Sequence, residues 1–128
     1  IEHWSVDSGS KVLVLSPEAS AELLRGAVGD LDVEARTVVA YRTVGIEVPA
    51  PIRAQVSSGE IGAVLITSES VAHQIRVQLA PLPSGTLVAA IGPRTASDTR
   101  AEGITVDVVA EELTDEALIR ALVAHIER

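Results

Sequence analysis

Two short stretches carry the residue types that could do chemistry. Gly92-Pro93-Arg94-Thr95 follows the apolar run Thr86 to Ile91, and Thr67-Ser68-Glu69-Ser70 follows Ala63 to Ile66. Each joins a candidate buried strand to a helix start. Gly92 lets the backbone turn tightly and approach a ligand, Pro93 pre-sets a helical φ, and Thr95 places a hydroxyl beside amides that have no intrahelical partner. Such a turn suits an anion, and Arg94 adds a charged donor. In the second stretch Thr67, Ser68 and Ser70 offer hydroxyls at a second helix start. Their plain reading is helix capping, and that role is compatible with ligand contact.

Composition removes several other chemistries. The chain of 128 residues has no cysteine, which excludes disulfides, thiolate nucleophiles and sulfur-ligated zinc. His3, His73 and His125 lie far apart in sequence without ligand spacing, so no metal site is expected. A net charge of -8 argues against general nucleic-acid binding, which needs phosphate-neutralising Lys and Arg. No stretch reaches the ~20 apolar residues of a membrane helix, so a soluble, cytoplasmic protein with no membrane partner is expected. With one Trp, one Tyr and no Phe, little material exists for stacking on a flat cofactor. The chain begins at Ile1 and holds no Met, so an upstream part is expected to be missing.

The elements that must position these residues alternate. Strands are expected at Val12 to Leu15, Val33 to Tyr41, Ala63 to Ile66, Thr86 to Ile91 and Thr105 to Val109, each followed by a helical pattern. The first helix is expected to start at Ser16 as N-cap with Pro17 at its first position. Only about two turns around Ile52 to Val56 survive the Gly and Pro residues of the second. In the third, Val71, Ile75 and Leu79 recur every four residues, with Arg76 and Gln78 outward. Gly103 closes the fourth. Thr114 caps the last, whose buried stripe is expected to be Leu118, Ile119, Leu122, Val123 and Ile126.

Short connections and Val/Ile/Leu-rich strands predict an α/β fold. Its form is a doubly wound, flavodoxin-like, five-stranded parallel sheet of order 2-1-3-4-5 with helices on both faces. Residues 11–128 are expected to form one domain, and residues 1–10 a linker or frayed end. In such sheets ligands bind beyond the carboxyl ends of the strands, where Thr67 to Ser70 and Gly92 to Thr95 fall. The common relatives of this topology fit poorly. No Asp ends the third strand and no Lys follows the fifth, against a phosphoacceptor domain. The first loop, Ser16-Pro17-Glu18-Ala19-Ser20, is neither a flavin-phosphate cradle nor a dinucleotide fingerprint.

Three segments, taken in order, carry a resemblance. Val39-Ala40-Tyr41-Arg42-Thr43-Val44, Gly62-Ala63-Val64-Leu65-Ile66-Thr67-Ser68-Glu69-Ser70-Val71 and Ala89-Ala90-Ile91-Gly92-Pro93-Arg94-Thr95-Ala96 resemble motifs of uroporphyrinogen-III synthase. The third extends through Glu102 to Thr114. The resemblance covers nearly all of the chain from Lys11 and points to the C-terminal half of a family chain roughly twice as long. Ile66 stands where the family has an aromatic and Glu69 where it has a proline, and the first loop lacks the family's Arg-Gly pair.

The resemblance implies a cofactor-independent lyase of tetrapyrrole (heme) biosynthesis. It would close linear hydroxymethylbilane with loss of water and inversion of the last pyrrole ring. It further implies Tyr41, the one phenol in the chain, as candidate general acid. Thr67, Ser68, Ser70, Gly92, Pro93, Arg94 and Thr95 are then candidate contacts to a polycarboxylate tetrapyrrole. In the family a lobe borrows its first strand and helix from the opposite half of the chain, so a homodimer exchanging residues 12–28 is a further expectation. The alternative is a non-catalytic binding or interaction domain that has kept the fold and lost the second lobe.

Overall fold

The computed structural model describes residues 7, 9–31 and 33–128. The expected linker at residues 1–10 and His3 lie almost wholly outside them. In chain order the elements are β1 (Lys11–Pro17), a 3-10 turn (Glu18–Ser20), α1 (Ala21–Gly29), β2 (Glu34–Tyr41) and α2 (Ala50–Ser57). There follow β3 (Ala63–Ile66), α3 (Glu69–Gln78), β4 (Leu87–Ala90), α4 (Pro93–Ala101), β5 (Val108–Val109) and α5 (Asp115–Ile126). All three ladders are parallel, and they form two sheets, β1-β2 and β3-β4-β5. The mixed α/β class is therefore as expected. A β1–β3 ladder, which one five-stranded sheet would add, is not among those of the described residues. The chain expected to be one domain clusters into two compact units, Ile1–Val44 and Gly45–Arg128.

In the first unit α1 packs on β1 and β2. Strand alternation sends Val12, Val14 and Ser16 toward burial, whereas Leu13 and Leu15 are 62% and 64% exposed. Register pairs Leu13 with Arg36 and Leu15 with Val38. Among the described residues of this unit, α1 covers one face of the ribbon, and Leu13 and Leu15 lie on the other. The helix start differs from the expected one. Pro17 keeps an extended ψ of 154° and a place in the ladder opposite Tyr41, so α1 begins only at Ala21, after the 3-10 turn. Ser16 is then no cap: it ends β1 with a buried hydroxyl that has no hydrogen-bond partner among the described residues. A residue before proline is pushed to extended geometry, which favours continuing the strand.

The second unit has two cores, one on each side of its sheet. Ile66, Ala72, Ile75, Val88 and Ile104 form the first, with Val64, Val71 and Leu79 packed against it. Ala89, Val108, Ala110, Ala117 and Leu118 form the second, beneath α5. Caps fall where their residue types ask: Ser68 Oγ accepts the Val71 N–H at 3.3 Å and Thr114 Oγ1 the Ala117 N–H at 3.1 Å. Gly103 follows α4 at φ 79°, the left-handed turn that glycine adopts without steric cost.

Three expectations are corrected in this unit. Ile119, Val123 and Ile126 are 53%, 45% and 62% exposed rather than buried, since the sheet beneath α5 reaches only Leu118 and Leu122. Gln78 does not face outward freely: its carboxamide accepts the Val48 N–H and donates to Ile46 O, pinning residues 46–48 to α3. The fifth strand shrinks to Val108–Val109, because the Asp107 carboxylate takes the Val88 N–H at 2.8 Å where a longer ladder would run.

Candidate functional site

The site is built by the register of β3 on β4. Ile66 lies opposite Ala90, and the Ile91 N–H donates to Ile66 O at 3.0 Å, so the two strands end side by side. Each strand then gives way to a helix start. Thr67 and Ser68 lead into α3 and Gly92 into α4, which brings Thr67, Ser68, Ser70, Gly92, Pro93, Arg94 and Thr95 to one end of the sheet.

The two helix starts are not equivalent. At α3 the Ser68 hydroxyl closes the first turn and lies 3.0 Å from Ser70 Oγ, so both hydroxyls have local partners. At α4 the N-cap is Gly92, which has no side chain to cap with, and Pro93 follows at the first position. The next amides, of Arg94 and Thr95, are left for a ligand or water. The positive end of the helix dipole points the same way.

Gly92 is extended, with φ -175°, so conformation does not demand glycine there. A Cβ at Gly92 would lie 2.3 Å from Leu113 Cδ2, so a larger residue there would have to turn that exposed side chain aside. Arg94 is largely exposed and its Nε sits 3.3 Å from the Asp98 carboxylate one turn along. That pair is solvated and worth little, so the guanidinium can exchange it for another carboxylate. Thr95 is buried, and its carbonyl accepts from the buried Thr99 hydroxyl at 2.7 Å.

Tyr41 falls in the other compact unit. It ends β2 opposite Pro17 and is 60% exposed, with Arg42 beside it 4.0 Å from Glu18. His73 and His125 are exposed on helices, and His73 Nδ1 lies 3.1 Å from Glu102. Hydrogen bonds from His73 and Arg76 hold the Glu102 carboxyl below its ordinary pKa, in a cluster that ties α3 to the end of α4. Among the described residues no group of three His, Cys, Asp or Glu is placed to hold a metal ion, and no helix is long and apolar enough to cross a membrane. A groove of about 360 Å³ between β5 and α5, lined in part by Glu111, Glu112, Arg120 and Arg128, contains none of the predicted site residues. Sequence reasoning misses Leu113. Its signal is an exposed apolar residue inside the extended Gly92 to Thr114 motif.

Parallel strands ending side by side in two helix starts mark a mixed α/β protein, consistent with a doubly wound fold. The family model for uroporphyrinogen-III synthase HemD matches residues 1–120, and the chain belongs to that family. Among solved structures it is similar to the uroporphyrinogen-III synthetase of Helicobacter pylori 26695, with a TM-score of 0.67 and 18% identity. That match covers 89% of this chain and 53% of the other, so the chain spans about half the length of this solved relative. No match was found among curated proteins.

Proposed function

We propose that the chain contributes one side of a uroporphyrinogen-III synthase cleft. Its reaction would close hydroxymethylbilane to uroporphyrinogen III with loss of one water. The observation that carries this reading is the pair of helix starts at the ends of β3 and β4 within the segment matched by the family model. The substrate bears eight carboxylates while the protein has a net charge of -8, so long-range steering opposes the encounter. Attraction must be local. The uncapped start of α4, Arg94 and the hydroxyls of Thr67, Ser68, Ser70 and Thr95 supply it, with Gly92 and Pro93 shaping the turn.

Chemically, departure of the hydroxyl as water leaves an electrophilic azafulvene carbon, and the substituted position of the last pyrrole attacks it. Holding the ends in that geometry does most of the work, with a proton donor assisting the leaving group. Tyr41 is assigned that donor role. No cofactor takes part, and a cytoplasmic location fits a reaction among soluble metabolites.

The finer fold belongs to the same reading. The β1-β2, β3-β4 and β4-β5 ladders are each neighbours in the order 2-1-3-4-5, and a β1–β3 pairing would complete it. Pairing through exchange of residues 12–28 would give a homodimer instead. Light scattering separates them: a strict monomer at all concentrations rejects exchange.

The deciding experiment is a coupled assay that separates the III isomer from the I isomer formed spontaneously. An excess of III over the uncatalysed control supports catalysis by this chain, and Tyr41→Phe and Thr95→Ala should then lower it. No excess rejects catalysis. A second reading, a binding domain without turnover, predicts tetrapyrrole binding with no III isomer.

A further inference from the structure

The rim of the α4 start has a feature that capping and anion binding do not use. Leu113 lies on Gly92, closely enough that a Cβ there would sit 2.3 Å from its Cδ2, yet the side chain is 74% exposed. A leucine held at one end by the turn and open at the other is an apolar ledge at the mouth of the site. The Thr114 N–H bonds back to Glu112 O at 2.9 Å and Thr114 caps α5, so the ledge stands on a short, anchored loop.

Charged groups of both signs surround the ledge, and its two glutamates share the β5–α5 groove with Arg120, His125 and Arg128. Glu111 and Glu112 precede it, both exposed, while Arg94 and the uncapped amides lie beyond Gly92. Residues 45–128 contain no Phe, Tyr or Trp, so at this ledge the unit offers a flat ring the aliphatic surface of Leu113.

We infer that Leu113 is a substrate-positioning residue: it seats one pyrrole ring beside the start of α4, where Arg94 takes a carboxylate arm of that ring. This rests on the tetrapyrrole reading above and adds to it which part of the ligand goes where. An apolar seat acts through water exclusion and is insensitive to salt, whereas the glutamates and Arg94 act through charges that salt screens.

The experiment is a titration of the whole chain with uroporphyrin III, the oxidised and coloured form of the proposed product, followed by its absorption band at low and high ionic strength. Leu113→Ala should weaken binding about tenfold, and equally at both ionic strengths. Leu113→Met should restore most of the affinity. Arg94→Gln should weaken binding mainly at low salt. Changing Glu111 and Glu112 together to Gln should tighten it at low salt, with the gain vanishing at high salt. Far-UV circular dichroism confirms folding of each variant.

Three outcomes overturn the inference. Binding by Leu113→Ala within twofold of the parent, while Arg94→Gln is weakened, removes the ledge and leaves the tetrapyrrole reading standing. A Leu113→Ala loss confined to low salt would mean that the side chain merely props the α4 start. Absence of saturable uroporphyrin binding by the parent chain overturns the tetrapyrrole reading and the ledge together.

Discussion

The two compact units use the same parallel βα grammar and bury it unequally. In Ile1–Val44 two strands carry one helix, and Leu13, Leu15, Val38 and Tyr41 are left exposed. In Gly45–Arg128 three strands carry helices on both faces, and Ile66, Ala72, Ala89 and Ala90 are wholly buried. Parallel strands are ordinarily covered on both faces, and a two-stranded ribbon is marginal by itself. The contrast teaches that cohesion resides in the second unit, which is also the one that assembles the helix-start site. Tyr41 belongs to the first unit, whose core is much thinner.

The largest expected effect tests that contrast directly. Ile66→Ala should cost about 2–5 kcal/mol in urea unfolding, since a wholly buried side chain leaves a cavity. Leu13→Ala, at 62% exposure, should cost less than about 1 kcal/mol. Equal losses would break the comparison, because they would mean that Leu13 is covered in solution.

Gly92→Ala comes next, at about 1–1.5 kcal/mol, because alanine is a poorer N-cap than glycine and the new methyl must turn the exposed Leu113 side chain aside. Its readouts are the urea midpoint and uroporphyrin affinity. A stable variant with unchanged affinity would separate the turn from the ligand.

Smaller still are two hydroxyl deletions of opposite sign. Thr114→Ala removes a working cap and should lower stability by about 1 kcal/mol. Ser16→Ala removes a buried hydroxyl with no partner among the described residues and should leave stability unchanged or raised by up to about 1 kcal/mol. A loss on Ser16→Ala would show that this hydroxyl is bonded in solution.

The smallest effect belongs to Glu102. Its folded pKa is depressed, so its contribution is fully present above the ordinary glutamate range, near pH 4.3. That contribution is lost as the pH falls through the lowered value. Melting temperatures of the parent and Glu102→Gln should therefore differ at neutral pH and converge in acid. A constant difference across the range would remove the linkage to His73 and Arg76.

Features that depend on near neighbours are legible in the amino-acid sequence. Ser68 and Thr114 cap their helices because a cap needs only its own hydroxyl and an amide three residues on. The Gly92-Pro93 turn follows a strand for the same local reason. The start of α1 departs from its expected place because Pro17 suits both a first helical position and the end of a strand, and pairing with Tyr41 decides for the strand. Ile119, Val123 and Ile126 are less buried than their spacing implies, because periodicity reports which face is apolar and not how much sheet lies beneath it.

The amino-acid sequence by itself determined the alternation of strands and helices, the caps at Ser68 and Thr114 and the family motifs, since all of these are written in residues close together along the chain. Tertiary structure alone decided that Leu113 rests on Gly92, that β3 and β4 end side by side, and that Gln78 holds residues 46–48. Each of those depends on which distant segments come into contact, and a linear pattern of apolar and polar residues does not encode that.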